Sequence, residues 1–259
     1  MKLHYREMGE GSPLLILHGL FGYSDNWQTL GKKFAQDHQV FLIDQRNHGR
    51  SPHSEEFNYG LMAQDLLELI EEHQLEAPAI MGHSMGGKTA MTFALQHPDR
   101  LSRLIVVDIA PKDYPVRHDG ILDALLAVDL SQVSSRDEAD AQLTRGIDHP
   151  AVRQFLLKNL YRQEDNSFAW RPNLPAIDRN LDYVSAAIEA ARPFDKPTLF
   201  IDGGKSNYIR PEDHDLIRQL FPNARIETVP EAGHWVHAEA PQQVYELVRG
   251  FLSESEFTE

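Results

Sequence analysis

Cysteine is absent from the 259-residue chain, which excludes disulfides, thiolate nucleophiles and cysteine zinc sites. Positive charge is scarce: 25 Lys and Arg stand against 39 Asp and Glu, a formal net charge of −14 at pH 7. Such a chain is repelled at long range by nucleic acid and by anionic lipid, so neither is expected as its main partner. Long hydrophobic runs are also missing. The early run LLIL is too short for a signal-peptide core, and no stretch reaches the ~20 apolar residues of a membrane-spanning helix. The expectation is a cytoplasmic protein with no membrane insertion. Repeats and low-complexity tracts are absent too.

The composition that remains, 41% hydrophobic and 25% charged, suits one globular α/β domain with a sizeable core. Short apolar runs alternate with amphipathic stretches, the pattern of a parallel sheet with crossover helices. LLILHG (14–19), VFLID (40–44), AIMGHS (79–84), LIVVDIAP (104–111) and TLFIDGG (198–204) read as strands buried on both faces. RIETVP (225–230) reads as a strand near one edge. Helices are expected over 26–36, 59–73, 87–96, 211–221 and 241–252. From 113 to 192 the strand rhythm is lost. Helical patterns at 118–130, 136–146, 151–161 and 181–190 replace it, and FAWRPNL (168–174) fits no pattern. An insertion of that length is too long for a loop in a compact domain. It is expected to be a helical cap over the strand ends, with residues 1–112 and 193–259 as the core.

Chemistry concentrates in a few motifs. GHSMG (82–86) fits G-x-S-x-G, a strand-to-helix turn that exposes a strained serine, here Ser84. A strand-like run precedes it and a helical run follows, as the motif demands. A serine hydroxyl needs a base near neutral pH, and thirteen histidines compete for that place. His18 and His48 sit where they would hold loops together, and His83 should point away from its neighbour. His234 and His237, in PEAGHWVHAEAP, lie on a late loop that can reach Ser84. In chain order the acid falls between serine and histidine, which leaves Asp108 and Asp202 at strand ends. Asp108 could instead merely cap the turn into Ala110 and Pro111. HGLFG (18–22) follows the first buried strand and offers backbone donors for an oxyanion. The amides of Leu20 and Met85 are the assigned donors, with Phe21 as alternate. Phe21 and Trp235 are expected to line an apolar substrate pocket.

HGLFG with Ser24 and Asn26, DQRNHGRS, GHSMGGK, VDIAP and GHWVHAE occur in this order across nearly the whole chain. Together they resemble the α/β-hydrolase superfamily and, within it, the bacterial YbfF-type esterases and their mitochondrial relatives. The resemblance implies a mostly parallel central sheet flanked by helices, with a helical cap inserted after the sixth strand. It implies a triad of Ser84, Asp108 and His234, and hydrolysis of small carboxylic esters or acyl thioesters without a cofactor or metal. In many superfamily members the acid lies three residues beyond the glycine that closes a late strand. That position here is Ser206, which fits an acid displaced to Asp108. Two other readings stay open: a carbon–carbon bond lyase or hydrolase on the same scaffold, and a non-catalytic acyl-ligand binding protein.

Overall fold

The computed structural model describes residues 1–115 and 120–254. The start of the helix expected over 118–130 lies outside the described residues. The chain opens with β1 (His4–Met8), β2 (Ser12–Leu17), α1 (Gln28–Phe34) and β3 (His38–Asp44). It continues through α2 (Tyr59–Glu72), β4 (Ala79–His83), α3 (Met85–Gln96) and β5 (Arg103–Val107). The Asn58 side chain caps α2 by accepting the Leu61 N–H.

An insertion then carries α4 (Ile121–Leu126), α5 (Arg136–Leu143), α6 (Pro150–Leu157) and the strands β6 (Leu160–Arg162) and β7 (Phe168–Trp170). Helices α7 (Leu174–Arg179) and α8 (Leu181–Ser185) complete it. The chain returns to the sheet as β8 (Thr198–Gly203), α9 (His214–Leu220), β9 (Ala224–Val229), α10 (Val236–Glu239) and α11 (Pro241–Ser253).

Seven strands form the main sheet in the order β1-β3-β2-β4-β5-β8-β9. Only β1 runs antiparallel, against β3. The unbroken apolar runs have a direct cause: helices cover both faces, so both sets of alternating side chains are buried. Leu15 and Leu17 of β2 enter one core cluster while Leu14 and Ile16 enter the cluster on the opposite face. Leu104 and Val106 part from Ile105 and Val107 of β5 in the same way. A third cluster joins the insertion to the core through Tyr59, Met62, Phe21 and Met85.

Three expectations need correction. The insertion follows the fifth strand, not the sixth, because the eleven residues before Ser12 hold only one short strand and a turn. The helix expected over 151–161 ends at Leu157, since Leu160–Arg162 pairs antiparallel with Phe168–Trp170. That hairpin accounts for the FAW of FAWRPNL, whose aromatics favour a pleated ribbon, while its Leu174 opens α7. The helix at 181–190 stops at Ser185. Among the described residues no helix is long and apolar enough to cross a membrane.

Candidate active site

Strand β4 ends at His83 and helix α3 starts at Met85, so Ser84 alone makes the turn, at φ +52° and ψ −119°. A non-glycine residue held there stores roughly 1–3 kcal/mol of backbone strain. Two glycines make the turn possible by close approach. A Cβ on Gly82 would lie 2.1 Å from the Gly86 carbonyl oxygen, and one on Gly86 would lie 2.5 Å from that of His18. Asp108, the residue after β5, also has a positive φ, +51°. Parallel pairing of β4 with β5 brings the two turns side by side, and the Ser84 amide donates to the Val107 carbonyl at 3.0 Å.

His234 arrives from the loop between β9 and α10 and bridges them. Its Nε2 is 3.1 Å from Ser84 Oγ, and its Nδ1 is 2.7 Å from Asp108 Oδ2. An ionised carboxylate only accepts, so Nδ1 carries the proton and Nε2 is left to accept from the serine hydroxyl. Asp108 is fully buried and also takes the Gly203 N–H at 3.0 Å and the Ser206 hydroxyl at 2.5 Å. Tyr208 stacks on the His234 ring with centroids 3.8 Å apart. The rival acid, Asp202, instead accepts the Thr228 hydroxyl at 2.8 Å, and burial raises its pKa.

His237, the other candidate base, makes no hydrogen bond to Ser84 among the described residues and is not at the surface. It is buried, stacks on Trp27 at 4.2 Å and packs against His83. His83, in turn, directs Nε2 at the His234 carbonyl, 2.8 Å away.

The HGLFG loop lies beside the turn because β2 pairs with β4. Phe21, also at positive φ, gives its N–H to His48 Nε2 at 3.2 Å, while His48 Nδ1 donates to the Arg46 carbonyl at 3.0 Å. The Phe21 amide is thereby occupied. For the amides of Leu20 and Met85, no acceptor is found among the described residues. His18 braces the same loop: Nδ1 donates to the Gly19 carbonyl and Nε2 accepts the Gln45 N–H.

Burial keeps this set of histidines neutral. It lowers the pKa of His48 and of His237 to about 3, that of His83 well below 6.5, and that of His18 in the same direction. The unfolded chain takes up protons below about pH 6.5 that the folded chain refuses. Stability is therefore complete above that pH and falls as the pH drops toward 3. His48 and His237 each withdraw ~1.4 kcal/mol by pH 5.5, and His83 and His18 act in the same direction. Urea midpoints are expected to fall between pH 7.5 and 5.5, and an unchanged midpoint would contradict this assignment.

Two hollows meet at Ser84. One, about 390 Å³, is walled by Phe21, Trp235, Leu122, Val152, Phe155 and Leu156. The other, about 460 Å³, reaches Lys88, Tyr114, Asn207 and Arg210. Phe21 and Trp235 both stand in the wall of the first hollow. Sequence reasoning passed over the clip formed by His48 on Phe21, the hydroxyl of Ser206 on Asp108, and Tyr208 behind the imidazole. The count of three from Gly203 was the one sequence signal that pointed at Ser206.

Comparison with known proteins shows the family. A family profile described as the alpha/beta hydrolase fold matches residues 12–241. The sn-1-specific diacylglycerol lipase of Mus musculus is 43% identical over 93% of this chain and 80% of its own length. The esterase YbfF of Escherichia coli is 38% identical over 98% of this chain and 100% of its own. A solved marine microorganism esterase superposes with a TM-score of 0.94 at 43% identity, over 96% of this chain and 99% of that one. The chain belongs to the α/β-hydrolase family, as a YbfF-like carboxylic ester hydrolase.

Proposed function

We propose that the chain hydrolyses small carboxylic esters or acyl thioesters through an acyl-enzyme on Ser84. The observation that carries this is the unbroken run Ser84 Oγ–His234–Asp108, at 3.1 and 2.7 Å. His234 Nε2 takes the hydroxyl proton as Ser84 Oγ bonds to the acyl carbon. Asp108 holds the ring and stabilises its cationic form. The carbonyl oxygen becomes an oxyanion facing the amides of Leu20 and Met85, an interaction that typically lowers the barrier by several kcal/mol. His234 then protonates the leaving alkoxide or thiolate. A water deprotonated by His234 attacks the acyl-enzyme, and collapse frees the acid and restores Ser84.

In this reading residues 113–192 act as a cap over a core of 1–112 and 193–259. The acyl group lies in the apolar hollow beneath the cap, against Phe21 and Trp235. No cofactor or metal is called for. Its place is the cytoplasm, its partner a small-molecule substrate, with neither nucleic acid nor a bilayer needed by the chemistry.

A fluorophosphonate tests the proposal directly. Stoichiometric labelling, located by mass spectrometry on Ser84 and accompanied by loss of p-nitrophenyl butyrate hydrolysis, is expected. An active protein that stays unlabelled would refute it.

A further inference from the structure

Lys88 follows Ser84 by one helical turn, and its amide donates to the Ser84 carbonyl at 3.0 Å. Its side chain is 1% exposed, an unusual place for an ammonium. Carbonyls take all three of its protons: Lys112 at 2.9 Å, Ser185 at 3.2 Å and Ala186 at 2.5 Å. The rings of Tyr114 and Tyr59 lie 4.9 and 5.7 Å from it and add cation–π attraction. Burial pulls its pKa to about 8, so the ammonium form persists at neutral pH.

The three carbonyls are not scattered. Lys112 is where the chain leaves the core for the insertion, and residues 185–186 are where it comes back. Neutral hydrogen bonds tie the same two roots, Tyr114 N–H to the Ser185 carbonyl and Ile188 N–H to the Pro111 carbonyl, and the Tyr59 hydroxyl of α2 holds the returning root at the Val184 carbonyl. A buried charge is costly to desolvate, and an apolar side chain of equal length would pack here at lower cost. The charge has a use that packing does not supply. It gathers both roots onto the helix that starts at Ser84, beside the second hollow, whose lining shares Leu181 and Tyr208 with the first.

We propose that Lys88 is a positioning residue that clamps both roots of the insertion to α3 and thereby fixes the cavity for long acyl chains. The inference rests on the acyl-enzyme reading above. An acetyl group fills only the space next to Ser84. An octanoyl chain must run along the walls that the insertion supplies.

Wild type and Lys88→Met are compared on p-nitrophenyl acetate and p-nitrophenyl octanoate. The variant is expected to keep kcat/KM for acetate within about threefold and to raise KM for octanoate about tenfold, with kcat for both esters nearly unchanged. Hydrogen exchange is expected to quicken at the Tyr114 and Ile188 amides while the amide of Lys88 in α3 stays protected. A purely structural role would lower kcat for both esters alike and leave each KM alone. That result, or no change in either ester, overturns the clamp. Should Lys88→Met fail to fold, Lys88→Gln, which keeps two donors on a shorter stem, carries the same comparison. Fluorophosphonate labelling of wild-type Ser84 separates the two ideas: its failure removes the acyl-enzyme, whereas labelling with no dependence on chain length removes the clamp alone.

Discussion

Ser84→Ala is expected to lower kcat for p-nitrophenyl butyrate by roughly 10⁴- to 10⁶-fold, and His234→Ala by a similar factor. Without Oγ there is no atom to carry the acyl group. Without Nε2, 3.1 Å away, the hydroxyl keeps its proton and is a weak nucleophile near neutral pH. Because the two act as one unit, the double variant is expected to lose no more than about tenfold beyond either single one. The residual rate is expected to come from the proposed donors, the Leu20 and Met85 amides, and from the apolar hollow, which neither substitution touches. Steady-state rates, with active-site titration to exclude wild-type contamination, decide the matter. Losses that multiply would mean that serine and histidine serve separate steps, and retained turnover in Ser84→Ala would point to base-only chemistry.

How much of this was legible in the sequence depends on the range of the forces involved. Strands buried on both faces announce themselves as LLIL or LIVV, and GHSMG encodes its own turn, because backbone geometry there tolerates only glycine at 82 and 86. β1 left no such trace: HYREM has four half-buried residues and an exposed Glu7, and packs on a single neighbour at the edge. The β6–β7 hairpin was hidden because three-residue strands are too short for periodicity to register. The largest gaps were long-range polar contacts. That His48 would receive the Phe21 amide depends on where the turn after β3 stands relative to the loop after β2, 27 residues apart. Nothing local in the helical run around Lys88 announces its burial. Its burial follows from an insertion whose two roots converge on it from 24 and 97 residues away.

Asp108 gives the second large effect. Asp108→Asn is expected to reduce kcat by about 10³- to 10⁴-fold with KM little changed, since the amide presents an N–H to Nδ1 and favours the wrong imidazole tautomer. Asp202→Asn is expected to cost less than about tenfold, because that carboxylate meets the Thr228 hydroxyl and not the ring. Ser206 makes a sharper test possible. Its hydroxyl lies 2.5 Å from the same Oδ2 that His234 contacts at 2.7 Å, so the loop after β8 already brings a side chain to that carboxylate. A carboxylate grown from position 206 would extend toward Nδ1, into the space beside the amide that Asp108→Asn introduces. Asp108→Asn combined with Ser206→Asp is therefore expected to recover at least ~10-fold in kcat over Asp108→Asn alone, ~1.4 kcal/mol of barrier. Ser206→Asp in an otherwise native chain is expected to slow the enzyme, because two buried carboxylates would then share one site and one must hold a proton. Rates for the four proteins, measured on one ester at one pH, would separate an orienting acid from a merely buried one. If Asp108→Asn turned over like the wild type, the aspartate would be a turn-forming residue and the imidazole would be oriented by its stacking on Tyr208 instead.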